Sequence, residues 1–314
     1  MRLPMPFALL SAALLVSTAA PALAQSSPPL DDPNAIVEEL VVTARYPGPA
    51  FWRVADADSE VWIMAAPYYI PEKMAWDKTR TEQVLKGANS LILPSGVSIG
   101  FGEAVRFAIK YRKQFTNEGN RTLDQILPTQ VIERYEQLPK AYQTADLKTS
   151  TVRPIFAGLS VAARARKTAR WIEPHSDIVT LAKKAKVKIR TASMTSALPI
   201  AKAIMTMPDA EQSQCFDGFI GSLDHGIKTV GPVAAAWAEG RTAEFLRGTT
   251  TTGADQCIYS IGEVKSLREK AYQSEIKLIK AALDQPGKTL MITNVRPLVA
   301  QNGILARLKA EGFT

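Results

Sequence analysis

The sequence predicts an α/β fold: βαβ-type units with short parallel strands flanking a large helical middle section. Three observations carry that prediction. Near the start, the apolar run Glu60-Val61-Trp62-Ile63-Met64 and a second run, Ser90-Leu91-Ile92-Leu93, are separated by one helix length, the spacing of a parallel crossover. Near the end, a helical pattern is followed by Pro286-Gly287 and then by the run Thr289-Leu290-Met291-Ile292-Thr293. Between them, residues 102–114, 129–143 and 153–171 repeat apolar side chains at spacings of three and four, the period of a helix with one buried face.

Taken in order, Thr81 is placed to cap the first helix, whose inner face is Val84, Leu85 and Ala88. Ser176 caps a helix running to Lys184, which leads into a short strand, Val187-Lys188-Ile189. Pro208 opens a longer helix as an early-turn proline. Its inner stripe is Phe216, Phe219, Ile220, Leu223, Ile227 and Val230, and Pro232 is expected to kink or break it. From Val264 to Leu283 the inward residues are Leu267, Ala271, Ile276, Ile279 and Leu283. Gly303 to Glu311 forms the last helix.

Of the 314 residues, the first 24 have the composition of a secretory leader: Arg2, an apolar stretch from Phe7 to Val16, and Ala22-Leu23-Ala24 before Gln25. The expected location is therefore periplasmic or secreted, which sets nucleic acid aside as a partner. No later segment is apolar over the roughly 20 residues a membrane helix needs, so no transmembrane helix is expected after cleavage. Residues 25–48, rich in Ser, Pro and Asp, read as a linker or extended arm, leaving 49–314 as the folded domain. The two cysteines, Cys215 and Cys257, suggest one disulfide in an oxidising compartment; two buried free thiols are the alternative.

Three stretches resemble the TraB/GumN family, related to the TIKI metallopeptidases. The first is Pro49-Ala50-Phe51-Trp52-Arg53-Val54 with Val61-Trp62-Ile63-Met64-Ala65-Ala66-Pro67-Tyr68-Tyr69-Ile70-Pro71; the second is Ala88-Asn89-Ser90-Leu91-Ile92-Leu93-Pro94. The third runs from Met291 to Phe313, with Leu298, Gly303, Ile304, Leu305, Leu308, Gly312 and Phe313 fitting the family's framework. The resemblance implies a cleft built from the residues after the first and last strands. It also implies, in the family's active branch, a divalent metal held there that polarises a carbonyl.

The positions that would carry this chemistry are altered. Where the family has G-T-x-H, this chain has Ala65-Ala66-Pro67-Tyr68, with Tyr68 at the histidine. Pro94 stands at the acid that closes the second strand. The second G-x-G-H becomes Asn294-Val295-Arg296-Pro297, with Pro297 at the histidine, and the family's Arg-Asn pair falls near Ala271-Tyr272. An Asp before the middle strand is matched by His175. Proline has no side-chain donor, and tyrosine, with an unperturbed pKa of about 10, is a poor ligand unless deprotonated. A catalytic metal needs about three protein ligands and an open position. The resemblance therefore implies a catalytically degenerate binding or accessory protein of the cell envelope, with no metal or other cofactor. The alternative is a metal-dependent hydrolase or peptidase of the TIKI type with a rebuilt active site. The balance leans away from an enzyme.

Other candidates have plain readings. His175 and His225 are read as local hydrogen-bonding or capping groups, and Tyr68 and Tyr69 as packing residues rather than haem ligands. No G-x-S-x-G nucleophile turn occurs. Nine cations, Arg164, Arg166, Lys167, Arg170, Lys183, Lys184, Lys186, Lys188 and Arg190, lie in a stretch with two acids, in a chain of net charge +8. They suit an anionic polymer or an anionic lipid surface; a solvated face that only confers solubility is the alternative. An unknown envelope protein is the other partner class.

Overall fold

A computed structural model describes residues 48–313. The expected leader, 1–24, and residues 25–47 of the expected arm lie outside the described residues.

The chain enters through β1 (Phe51–Ala55), which turns at Asp56 into β2 (Ser59–Ala66) as an antiparallel pair. The Asp56 carboxylate closes this turn by accepting from the Ser59 amide (3.0 Å) and hydroxyl (2.6 Å). After β3 (Ile70–Pro71) comes α1 (Thr79–Leu85), then β4 (Ser90–Leu93) and β5 (Gly96–Ser98). The middle contributes α2 (Phe101–Tyr111), α3 (Thr129–Gln137), α4 (Pro154–Thr168), β6 (Trp171–Ile172), α5 (His175–Lys184), β7 (Lys188–Thr191) and β8 (Met194–Ser196). It continues through α6 (Leu198–Thr206), α7 (Asp209–Ala238), α8 (Thr242–Gly248), α9 (Gly253–Ser260) and α10 (Gly262–Leu283). The chain closes with β9 (Gly287–Asn294), α11 (Val295–Val299) and α12 (Ile304–Ala310).

The central sheet has the order β1-β2-β9-β4-β7, parallel except for β1. The α/β class is as expected, and β2 and β4 do run parallel, but they are not neighbours. The last strand fills the slot between them, with Ile63 opposite Met291 and Met291 opposite Ile92. Leu290, Met291 and Ile292 are completely buried. That burial explains why β9 reads as an unbroken apolar run, as a strand covered on both faces must.

Several local expectations need correction. Thr81 is buried inside α1 rather than capping it; Asp77 does the capping work, accepting from the Thr79 amide at 2.8 Å. Ser176 likewise lies inside α5, which begins at His175, and Pro208 precedes α7 rather than opening it from within. Helix α3 ends at Gln137 instead of Gln143, because Pro139 excludes Leu138 from helical geometry. The Tyr135 hydroxyl then pins the returning loop by donating to the Ala145 carbonyl at 2.7 Å.

Helix α7 continues through Pro232 without a break. Pro232 and Lys228, whose carbonyl loses its usual partner, both face solvent, so water can take that bond. Both ends of the helix are anchored: Phe216, Phe219, Ile220 and Leu223 are buried at one end, and at the other Trp237 donates from Nε1 to the Ala65 carbonyl at 2.8 Å. The expected inner stripe stops at Leu223, since Ile227 is 41% exposed and Val230 half-buried.

Cys215 on α7 and Cys257 on α9 stand at disulfide distance, with Cα atoms 5.1 Å apart. Beside them the two helices touch backbone to backbone. A Cβ on Gly218 would lie 2.5 Å from the Gly253 carbonyl oxygen, so neither position has room for a side chain.

Candidate functional site

Parallel strands deliver their C-terminal ends to one edge of a sheet, where α/β folds bind ligands. Here Ala66 at the end of β2 lies opposite Asn294 at the end of β9, and β4 ends beside them. Tyr68 follows β2 by two residues, Pro94 follows β4 directly, and Arg296 and Pro297 lie in the first turn of α11 directly after β9. The sheet thus brings Tyr68, Pro94, Asn294, Arg296 and Pro297, the five positions the resemblance singles out, to the same edge.

Tyr68 is half exposed, yet its hydroxyl is surrounded by protein, as for a side chain that lines an open cleft. It is hydrogen-bonded to the hydroxyl of Tyr259 on α9, with Asp255 and Tyr272 close by. Burial, and then the neighbouring Tyr259 and Asp255, push the Tyr68 phenol well above its ordinary value. Burial, and then Asp255, raise Tyr259 as well, against the opposing pull of Arg268. The guanidinium of Arg268 lies 4.4 Å from the Tyr259 ring centre, and that of Arg307 lies 5.1 Å from the ring of Tyr272. Arg307 is held by Glu269 through two bonds of 2.7 and 2.9 Å. These bonds, with a further one from Gln273, pull the Glu269 carboxyl down to about 2. Asp255 is engaged in the capping box of α9, accepting from the amide (2.8 Å) and hydroxyl (2.7 Å) of the N-cap residue Thr252.

Deeper at the same edge lies Glu275 of α10, which is 4% exposed. Its carboxylate accepts from the Ser95 amide at 3.0 Å and from the Thr293 hydroxyl at 3.3 Å. Burial raises its pKa, and the bonds from Ser95 and Thr293 partly oppose that rise. A carboxylate therefore reaches the end of β4 next to Pro94, supplied by a helix instead of by the strand. Sequence reasoning missed it. The available signal was a glutamate in the i+4 ladder Ala271, Glu275, Ile279 of an otherwise apolar helix face.

Arg296 donates from Nε to the backbone carbonyl of Thr249, tying α11 to the segment after α8. The side-chain oxygen of Asn294 is buried and has no hydrogen-bond partner among the described residues. His175 lies at the start of α5, where burial lowers its pKa and Glu173 opposes that shift; its Nε2 is buried without a partner. His225 lies in α7 with Nε2 3.4 Å from the Thr250 hydroxyl. Neither histidine stands in the residues that form the cleft edge.

This donor set does not fit the metal the family resemblance implies. It offers two carboxylates already engaged in hydrogen bonds, Glu275 and Asp255, one amide oxygen and tyrosine phenols, with no histidine, where a catalytic metal needs about three free ligands. Among the described residues, no three His, Cys, Asp or Glu side chains group so as to hold an ion.

The nine cations are spread over α4, α5, β7 and the turns between them. Arg164, Arg166 and Lys167 are on α4, with Arg170 just beyond it; Arg170 pairs with Glu72, and Arg166 lies 4.0 Å from Glu173 and 3.5 Å from the Tyr69 hydroxyl. Lys183 and Lys184 end α5 and Lys186 follows them. Lys188 and Arg190 of β7 line a cavity of about 330 Å³ with Asn89, Ser90, Ala282, Gln285 and Thr289. It lies near the opposite, N-terminal edge of the sheet, where Lys188, Ser90 and Thr289 share one register row.

No curated protein and no solved structure matches the chain. The sequence model of the TraB/PrgY/gumN family matches residues 50–314, nearly all of the folded region described above, and the chain belongs to that family.

Proposed function

We propose that this protein is a binding or accessory member of the TraB/PrgY/gumN family, working in the periplasm or outside the cell, whose metal chemistry has been lost. The observation that carries this reading is Tyr68. It stands where the resemblance places a histidine ligand, and its phenol is held neutral by burial and by Tyr259 and Asp255. Pro94 and Pro297, at two further ligand positions, have no donor atom to replace it. What remains is a cleft of tyrosines and arginines, suited to stacking and hydrogen bonding rather than to Lewis-acid chemistry.

The partner class is an anionic polymer or an envelope protein. Of the nine clustered cations, Lys188 and Arg190 share a cavity with the hydroxyls of Ser90 and Thr289. We take that cavity as the seat of an anionic group, since its two cations can donate to phosphate or carboxylate oxygens, while the Ser90 and Thr289 hydroxyls are hydrogen-bonded to each other at 3.5 Å.

One observation favours the second reading, a hydrolase with a rebuilt site: Glu275 is a buried carboxylate of raised pKa at the cleft edge, the property of a general acid or base. Peptide hydrolysis by the purified chain, with and without added manganese or zinc, separates the two. The binding reading expects no turnover above a metal-only control. Turnover abolished by Glu275→Gln would establish the hydrolase instead.

A further inference from the structure

Helix α2 carries an apolar face that nothing in the described fold covers. None of its 11 residues is buried. Phe101 is 88% exposed, Ile109 65% and Val105 42%. Spaced four apart, the three make one stripe along the helix. This is not a core face turned the wrong way, because α2 has a separate inner side. Phe107 packs on Tyr111 at 4.5 Å between ring centres and meets Phe115 at 6.4 Å, and Phe115 contacts Phe156 of α4 at 4.9 Å. Strand β5, which leads into α2, and its partner β8 expose two more apolar side chains, Val97 and Met194. Exposed apolar surface on this scale marks an interaction site.

The charges on the same segment identify the partner. Arg106, Lys110, Arg112 and Lys113 lie within or directly after α2, and Glu103 is the single acid between residues 101 and 113. None of the four cations forms an ion pair among the described residues. An apolar stripe carrying a phenylalanine, flanked by arginine and lysine, is the pattern of a helix lying in the plane of a membrane interface. A second copy docked through the same stripe would set these cations against their own counterparts. No helix among the described residues is long and apolar enough to cross a membrane, so contact is at the surface.

We propose that α2 docks this protein on an anionic phospholipid surface. Phe101, Val105 and Ile109 enter the headgroup–acyl boundary, and Arg106, Lys110, Arg112 and Lys113 meet lipid phosphates. This inference is independent of what the cleft binds.

Co-sedimentation of the chain lacking residues 1–24 with vesicles tests it, using equal phosphatidylglycerol and phosphatidylcholine against phosphatidylcholine alone. The protein is expected to bind the anionic vesicles and to release them as salt rises. Phe101→Ser with Ile109→Ser removes binding by at least about tenfold, from lost apolar burial. Arg106→Gln with Lys110→Gln weakens it about thirtyfold, each cation near the surface counting for roughly fivefold. Both variants keep the wild-type melting temperature and circular dichroism, because they alter no buried residue. The proposal is overturned by absence of binding to anionic vesicles, or by equal binding to both vesicle types that is unaffected by either variant. It is also overturned by a solution dimer that Phe101→Ser with Ile109→Ser converts to monomer.

Discussion

Glu275 and Ser95 are 180 residues apart in sequence, and the carboxylate of the first accepts the backbone amide of the second at 3.0 Å. The bond fastens α10 to the end of β4, and a second, from Thr293, fastens it to β9. Removing the acceptor leaves the buried Thr293 hydroxyl and the half-buried Ser95 amide without this partner, at a cost of about 1–3 kcal/mol for a fully buried donor and less for the other. Glu275→Ala is therefore expected to lower stability by roughly 2–4 kcal/mol in urea unfolding. A loss under about 0.5 kcal/mol, the range of a surface change, would mean the bond does not hold the cleft together.

The pH dependence of that glutamate has a definite sign. Its folded pKa is raised above 4.5, chiefly by burial, so the folded state holds the proton more tightly than the unfolded chain. Its contribution to stability is present below pH 4.5 and is lost as pH rises through the folded value. The stability difference between wild type and Glu275→Gln should shift against wild type over that window. A difference that stays flat from pH 4 to 8 contradicts the buried, doubly bonded carboxylate.

His175 acts in the opposite direction. Burial lowers its pKa below 6.5 while Glu173 pulls it back. Its contribution is present above pH 6.5 and is lost as pH falls through the folded value. His175→Gln should flatten the decline in melting temperature on acidification, and an unchanged decline assigns it to other groups.

Cys215 and Cys257 bracket a sequence separation of 42, and a closed loop of that length contributes about 4 kcal/mol in the chain-entropy account of disulfides. The oxidised protein should show no alkylatable thiol when denatured without reductant, and reduction should lower its denaturation midpoint. Gly218→Ala at the same helix crossing should destabilise by roughly 1–3 kcal/mol, because the added methyl meets the backbone of Gly253 rather than a movable side chain. Two titrating thiols in the unreduced protein would reject the bridge.

For the cavity beside β7, differential scanning fluorimetry with inorganic phosphate should raise the melting temperature of the wild type. Lys188→Gln with Arg190→Gln should abolish the rise. An equal rise in both proteins moves the anion elsewhere.

The α/β class and the positions of the long helices were legible because burial writes periodicity into sequence. The stripe of α10 and the apolar run of β9 are examples. Strand order was not legible, since nothing local in Thr289–Thr293 says that it slots between Ile63 and Ile92. Short helices such as α8, α9 and α11 carry too few turns to show a period. Helix ends were misread where a neighbour took the capping role, as Asp77 did for Thr81. In the cleft, Tyr68, Pro94 and Pro297 could be singled out because the family resemblance points to those positions. Tyr259 and Glu275 were not, because they come from helices whose contact with the sheet edge is tertiary. For the nine clustered cations, the sequence shows their spacing but not their partners: Arg166 and Arg170 face Glu173 and Glu72, while Lys188 and Arg190 line a cavity.

On the function proposed above, the cleft edge holding Tyr68, Pro94, Asn294, Arg296 and Pro297 binds no catalytic metal. Calorimetric titration of the chain lacking residues 1–24 with manganese and with zinc, after chelator treatment, tests it most directly. The account predicts no stoichiometric binding of either ion and no difference between wild type and Tyr68→Phe. One tightly bound equivalent of either metal, lost in Tyr68→Phe, would contradict it.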